Sequence, residues 1–212
     1  MGGFVFMAYR VLTVEREFGS GGSRIAEKIA AWLGWRLIND EFIDAIAEAA
    51  HVDPAVVRAY DEQASTVLRR IATRSNRGAV NPVDPVLERP VFFNADKMAE
   101  FTRMVVDDAH VRGNCVLVGR GTQCILQHKP DVFHAFIYAP FHERAHRLQL
   151  RLEPGAHIEQ RIRDVDQERA DFILQRFGKV WNNHQLYNVM LSSSENEDRT
   201  ARVLLYAMTG QL

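Results

Sequence analysis

The chain has 212 residues, with 26 Lys plus Arg against 27 Asp plus Glu and a formal net charge of -1. That length suits one well-buried core, and the even charge leaves no global basic footprint for nucleic acid. The two cysteines, Cys115 and Cys124, have neither CxxC nor zinc-ribbon spacing, which argues against a disulfide framework and for a reducing compartment.

In chain order, the N-terminus "MGGFVFMAYR" is apolar but lacks the basic region and cleavage pattern of a signal peptide. No apolar run approaches the ~20 residues of a membrane span. Phe6 stands where a myristoylation signal needs Ser or Thr, so a cytoplasmic protein without a membrane partner is expected, with Met7 as an alternative start. Four apolar segments read as strands: Tyr9 to Glu15, Trp35 to Ile38, Cys115 to Gly119 and Val132 to Ala139; a weaker fifth is Leu186 to Ser192. Near-continuous apolar runs of this kind suit a parallel sheet covered on both faces. Helical patterns separate them at Ser23 to Leu33, Glu41 to Ala50, Pro54 to Ala72, Ala95 to Arg112, Gln123 to His128, Phe141 to Leu152, His157 to Phe177 and Glu195 to Met208. The alternation predicts a doubly wound α/β domain.

Two regions break the rhythm. Thr73 to Pro90 carries Pro82, Pro85 and Pro90 with little periodicity and reads as a surface loop. Arg147 to Lys179 reads as a charged helical hairpin broken at Pro154-Gly155.

The stretch "VLTVEREFGSGGSRIAEKIA", Val11 to Ala30, has the layout strand, glycine-rich turn, helix. Such a turn lets backbone N–H groups converge on a phosphate, and the helix adds its N-terminal dipole. Set against GxxxxGK[ST], the register puts Arg16 at the first glycine, Gly21 at the second, Gly22 at the lysine and Ser23 at the Ser/Thr. Ser23 therefore keeps a hydroxyl for Mg²⁺, and the missing lysine charge falls to Arg24 or Arg16. The rival reading is a tight strand-to-helix turn whose glycines serve packing alone. The dinucleotide pattern GxGxxG fails because Arg24 occupies its last glycine.

"LTVEREFGSGGSRIAEKIAAWLGWRLINDEFI", "VLVGRGTQCIL" and "IYAPFHERAHRL" together resemble the cytidylate kinase-like proteins, a branch of the P-loop nucleoside monophosphate kinases. The resemblance implies a three-layer P-loop NTPase fold: α/β, with a five-stranded parallel sheet, a helical lid, and an ATP site at the glycine turn. It implies one domain over residues 1–212, with an acceptor-side region at about 53–94 and a lid-like hairpin at about 141–179. Against the loop GPSGAGKGT of cytidylate kinases, Gly22 stands for the lysine and Arg24 for the threonine. The branch itself usually shows REFGSGG or RQYGSGG.

Other positions carry over from the resemblance. "GRG" at Gly119 to Gly121 resembles GRD, so Arg120 matches an arginine that contacts the acceptor monophosphate, and Gly121 replaces the aspartate. "HERAHRL" resembles the opening of the lid helix, which brings in Arg144 and Arg147. "RIRDVDQER" resembles the lid pattern RDxxDxxR, with Arg163, Asp164 and Arg169 in comparable places and Asp166 one residue early. Arg144 and Arg147, spaced i, i+3, share a helix face; the rival reading for the lid arginines Arg144, Arg147, Arg163 and Arg169 is a solvated ion-pair ladder. Asp40 lies near the implied acceptor pocket, though a helix cap is its stronger reading, and Glu15 falls where related kinases place an aspartate near Mg²⁺ but equally suits a structural role.

The resulting expectation is a Mg-ATP phosphotransferase acting on a small nucleotide or similar phosphorylated acceptor. Gly19, Ser20, Gly21, Gly22 and Ser23 would cradle the donor phosphates and Ser23 would support Mg²⁺. Arg24 or Arg16 would supply charge, Arg120 and Asp40 would face the acceptor, and Arg144, Arg147, Arg163 and Arg169 would neutralise charge during transfer. A homodimer is compatible with this reading. The alternatives are a nucleotide- or anion-binding module without catalysis and, from the literal HExxH at His142 to His146, a zinc hydrolase with Glu143 as base.

Overall fold

The computed structural model describes residues 9–39, 41–50, 53–55, 57, 95–151 and 157–210. Strand β1 (Val11–Arg16) is the centre of a five-stranded parallel sheet with β2 (Arg36–Ile38), β3 (Cys115–Val118), β4 (Val132–Tyr138) and β5 (Val189–Ser192), in the order β2-β3-β1-β4-β5. Val11 stands level with Cys115 on one side and Val132 on the other. Parallel strands between two helical layers lose both faces to the interior, and the runs of Val, Leu and Ile in β1, β3 and β4 are buried accordingly.

Seven helices lie among the described residues: α1 (Gly22–Leu33), α2 (Glu41–Ala50), α3 (Ala95–Arg112), α4 (Thr122–Ile125), α5 (Phe141–Gln149), α6 (Ile158–Phe177) and α7 (Glu197–Thr209). Alternate residues of each strand feed different cores. On one face Leu12, Val14, Val116, Val118, Phe133, Ala135 and Ile137 pack with Ile25 and Ile29 of α1 and Leu204 of α7. On the other, Phe136 packs with Ile173 of α6 and Trp181, and the Phe136 and Trp181 rings meet edge to face with centroids 5.3 Å apart. Helix α1 ends where Gly34 adopts φ +65 and returns its N–H to Ala30 O and Ala31 O.

The chain divides into two compact units, Met1–Asn39 with Val106–Leu212, and Asp40–Val105. The first holds the whole sheet. In the second, α2 buries Phe42 and Ile46, and Thr102 Oγ1 in α3 donates to Met98 O one turn back.

Some boundaries differ from the sequence reading. The helix expected over Gln123 to His128 is the single turn α4, set by Gly121 at its N-cap. The fifth strand starts at Val189, because His184–Leu186 forms a 3-10 turn whose cap, Asn183, accepts the Gln185 N–H. Helix α5 stops at Gln149. The Pro154-Gly155 break, the Thr73 to Pro90 segment and nearly all of Pro54 to Ala72 lie outside the described residues.

Candidate active site

Strand β1 delivers the chain into the turn Glu17–Gly21, where Gly19 and Gly21 take φ of +81 and +82, a region L side chains rarely enter. Four amides of the turn are satisfied within the protein. Glu17 N–H donates to Ile137 O (3.0 Å), Phe18 N–H to Asp166 Oδ1 (2.7 Å), Ser20 N–H to Glu17 O (3.2 Å) and Gly22 N–H to Ser20 Oγ (3.3 Å). Among the described residues the N–H groups of Gly19, Gly21, Ser23 and Arg24 have no partner. Four unpaired donors at the mouth of α1 form a cradle for an anion. Ser23 is half-buried and its hydroxyl engages no described residue.

The carbonyl side of the same turn is tied down by α5 and α6. Arg144, 7% exposed, donates from Nη1 to Phe18 O (3.1 Å) and to Asp166 Oδ2 (2.5 Å), with Glu17 Oε2 at 3.3 Å from its Nε. Arg147 donates to Ser20 O (3.0 Å) and to Ser193 O (2.6 Å), and Ser193 Oγ also donates to Ser20 O at 2.5 Å. Arg169 Nη1 donates to Arg16 O (2.6 Å). Burial and the charge of Arg16 bring Arg169 down to about 10, so it stays protonated at neutral pH. Arg163 is different. It is exposed, pairs with Glu159 one turn away (3.2 Å), and stands 5.0 Å from the Phe141 ring centroid. The arrangement holds Arg144, Arg147 and Arg169 against the turn and leaves Arg163 in solvent.

The two loop arginines also part company. Arg24, with its side chain 40% exposed, is bound by Glu197 at the start of α7, and that carboxylate fills the space a side chain at Gly21 would need. Arg16 turns inward, beside buried Glu15 (3.4 Å) and against Gly119 at the end of β3. There Gly119, Arg120 and Gly121 take φ of +74, +56 and +71 in succession. A non-glycine residue in this region is uncommon and marks a site where strain is held by its surroundings. The Phe177 ring occupies the space next to Gly121, which gives a physical reason for glycine where the GRD pattern has aspartate. Asp40 lies outside the described residues.

A family model described as the cytidylate kinase-like family matches residues 11–195. The chain belongs to that family. Among curated proteins no relative matches. Among solved structures, a protein from Eubacterium ventriosum described as uncharacterized is similar, with TM-score 0.67 and 16% identity over 95% of this chain and 99% of that one. Shikimate kinase from Bacteroides thetaiotaomicron aligns with TM-score 0.53 and 12% identity, covering 92% of this chain and 95% of its own. Shikimate kinase from Acinetobacter baumannii, in complex with shikimate, aligns with TM-score 0.50 and 12% identity, covering 98% and 97%. At these identities the likeness establishes the P-loop kinase fold.

This cytidylate kinase-like chain also has site residues that sequence reasoning did not single out: Glu17, Ser193, Glu197 and Phe177. Ser193 meets Ser20 across 173 positions, and no local pattern announces such a contact. Asp166 carried a signal as part of the RDVDQER stripe, yet its role as acceptor for Phe18 N–H needed the fold. The HExxH residues point elsewhere: His142 and His146 are exposed and Glu143 lies 3.4 Å from Arg147. No group of three His, Cys, Asp or Glu side chains suited to a metal occurs among the described residues.

Proposed function

We propose that the protein is an ATP-dependent phosphotransferase of the nucleoside monophosphate kinase type, acting on a nucleotide or similar small phosphorylated acceptor. The observation that carries this reading is the set of unpaired N–H groups at Gly19, Gly21, Ser23 and Arg24, at the carboxyl end of the central strand. Family membership and the kinase fold supply the reaction class.

The residues fit a Mg-nucleotide. Backbone donors of Gly19 to Arg24 would hold donor phosphates, with the Ser23 hydroxyl directed to Mg²⁺. Mg-ATP supplies the γ-phosphoryl group, which forms a bond to an acceptor oxygen as its bond to ADP breaks. Arg120 would hold the acceptor phosphate. Arg144, Arg147 and Arg169 act first on the loop itself: by binding its carbonyls they keep its amides turned toward the ligand. Catalysis of phosphoryl transfer is largely such positioning and charge neutralisation, and an anionic acceptor needs no side-chain base.

A binding module without turnover is the second reading, favoured by Glu197, whose carboxylate sits beside Gly21 and neutralises Arg24. Incubation with Mg-ATP and a panel of nucleoside monophosphates, with shikimate included because the neighbouring fold serves it, separates the two. ADP release dependent on one acceptor is expected; tight ATP binding with no turnover on any acceptor favours the module.

A further inference from the structure

We infer that the two departures from GxxxxGK, Arg16 for the first glycine and Gly22 for the lysine, are one compensated exchange: β1 rather than α1 delivers the phosphate-binding cation, and that cation is Arg16. The inference rests on the phosphate-cradle reading above.

Gly22 is held to glycine by its surroundings. Its φ is not positive, so the backbone does not demand glycine there; the available space does. A Cβ at Gly22 would stand 2.5 Å from Arg16 Cβ, 3.0 Å from Arg16 Cγ and 3.2 Å from Ile137 Cβ. Residues 16 and 22 therefore compete for one volume. A side chain at either position excludes one at the other, so the motif's Gly/Lys pair and this chain's Arg/Gly pair are alternative solutions of the same packing problem. The same side chain then continues to Gly119, where its Nη1 fills the space of a second absent Cβ. Arg16 thus threads from the mouth of α1 to the end of β3, across the carboxyl ends of two adjacent strands, where ligands bind in open α/β sheets.

The Arg16 guanidinium is only partly bonded. Its Nε is buried with no acceptor among the described residues, and Nη1 has only Glu15 Oε1 at 3.4 Å. Arg169 bonds the Arg16 carbonyl and adds a second positive charge beside it. Arg169 has Asp166 and Glu168 as well as Glu15 to offset its charge, whereas Arg16 has Glu15 as its one ion-pair partner among the described residues, and an anion beside Arg16 would complete its bonding. Arg24 also has an unpaired Nε, but its terminal nitrogen is already bound by Glu197. Of the two, Arg16 is the less closely paired: its carboxylate stands at 3.4 Å.

The test uses the full chain as wild type, R16G, G22K, R16G/G22K and R24A, with Mg-ATP affinity measured by calorimetry and thermal melting recorded for each. R16G is expected to weaken Mg-ATP binding roughly tenfold to hundredfold, the worth of a charge-assisted bond to phosphate. R24A is expected to weaken it by less than about threefold, as for an exposed and already paired charge. G22K alone is expected to melt roughly 5 °C lower, through overpacking against Arg16. In the R16G background, where the Cβ and Cγ that crowd position 22 are both gone, that drop should vanish and Mg-ATP affinity should return toward wild type. Unchanged binding by R16G, or the same melting drop for G22K in both backgrounds, overturns the exchange. No Mg-ATP binding by wild type overturns the cradle reading and the cation role with it, while the melting cycle still reads the steric competition between 16 and 22.

Discussion

The turn after β1 and the turn after β3 sit at the ends of neighbouring strands, and both are built on glycines with positive φ, yet they are held in opposite ways. The Gly119–Gly121 turn is secured mostly by its own neighbourhood: Thr122 N–H and Oγ1 both donate to Gly119 O, and Cys124 and Ile125 donate to Gly121 O. The Glu17–Gly21 turn is secured from a distance by Arg144, Arg147, Asp166, Arg169 and Ser193, all more than a hundred positions away. A locally held turn keeps its shape whatever the rest of the chain does. A remotely braced one depends on the docking of α5 and α6, so its cradle is a property of the whole first unit.

Breaking a brace is the most severe test. Asp166→Ala leaves the Phe18 amide unpaired and Arg144 short of its nearest carboxylate, and should cost about 3 kcal/mol in denaturant unfolding. Hydrogen exchange should rise at Phe18 to Ser23 and stay unchanged at Gly119 to Gly121; an equal rise at both would erase the distinction between them.

Acid should act through the foundation of the braced turn. His134 in β4 shares a 2.7 Å hydrogen bond with Thr13 in β1, and burial holds it down to about 4 from an ordinary 6.5. Between those values the unfolded chain binds a proton that the native chain does not. Stability is therefore full above pH 6.5 and falls as the pH drops toward 4, by on the order of 3 kcal/mol. Urea midpoints at pH 7.5, 5.5 and 4.5 would show the loss, and His134→Gln should flatten it.

The locally held turn has its own weak point. Gly121→Ala meets both an unfavourable φ of +71 and the Phe177 ring, and should cost about 2–3 kcal/mol. In a Phe177→Ala background the added cost of Gly121→Ala should fall to about 1 kcal/mol, the backbone part alone. Arg163→Ala should change stability by less than about 0.5 kcal/mol, since its pair with Glu159 is exposed; a larger loss would place it among the braces.

These contrasts explain what was legible in the sequence. The five strands follow from apolar runs, and the helices Glu41 to Ala50 and Ala95 to Arg112 match their predicted ends. Glycines announced both turns because positive φ is a demand on a single residue. Charge was less legible, because an arginine three residues from another on a helix gives the same pattern whether it meets solvent or a carbonyl. Arg163 and Arg144 read alike in sequence, and only the fold sends one to Glu159 and the other to Phe18 O. Glu197 beside Gly21 was invisible for the same reason.

The contact between Arg16 and the space beside Gly22 has an evolutionary corollary. Two positions that share one volume are inherited as a single character. A lineage carrying Arg/Gly cannot regain the lysine loop one substitution at a time: lysine first meets a filled space, and glycine first leaves the strand end without the cation proposed for it. The lysine-free loop is in this sense a ratchet, kept in place by packing as firmly as by selection on its chemistry.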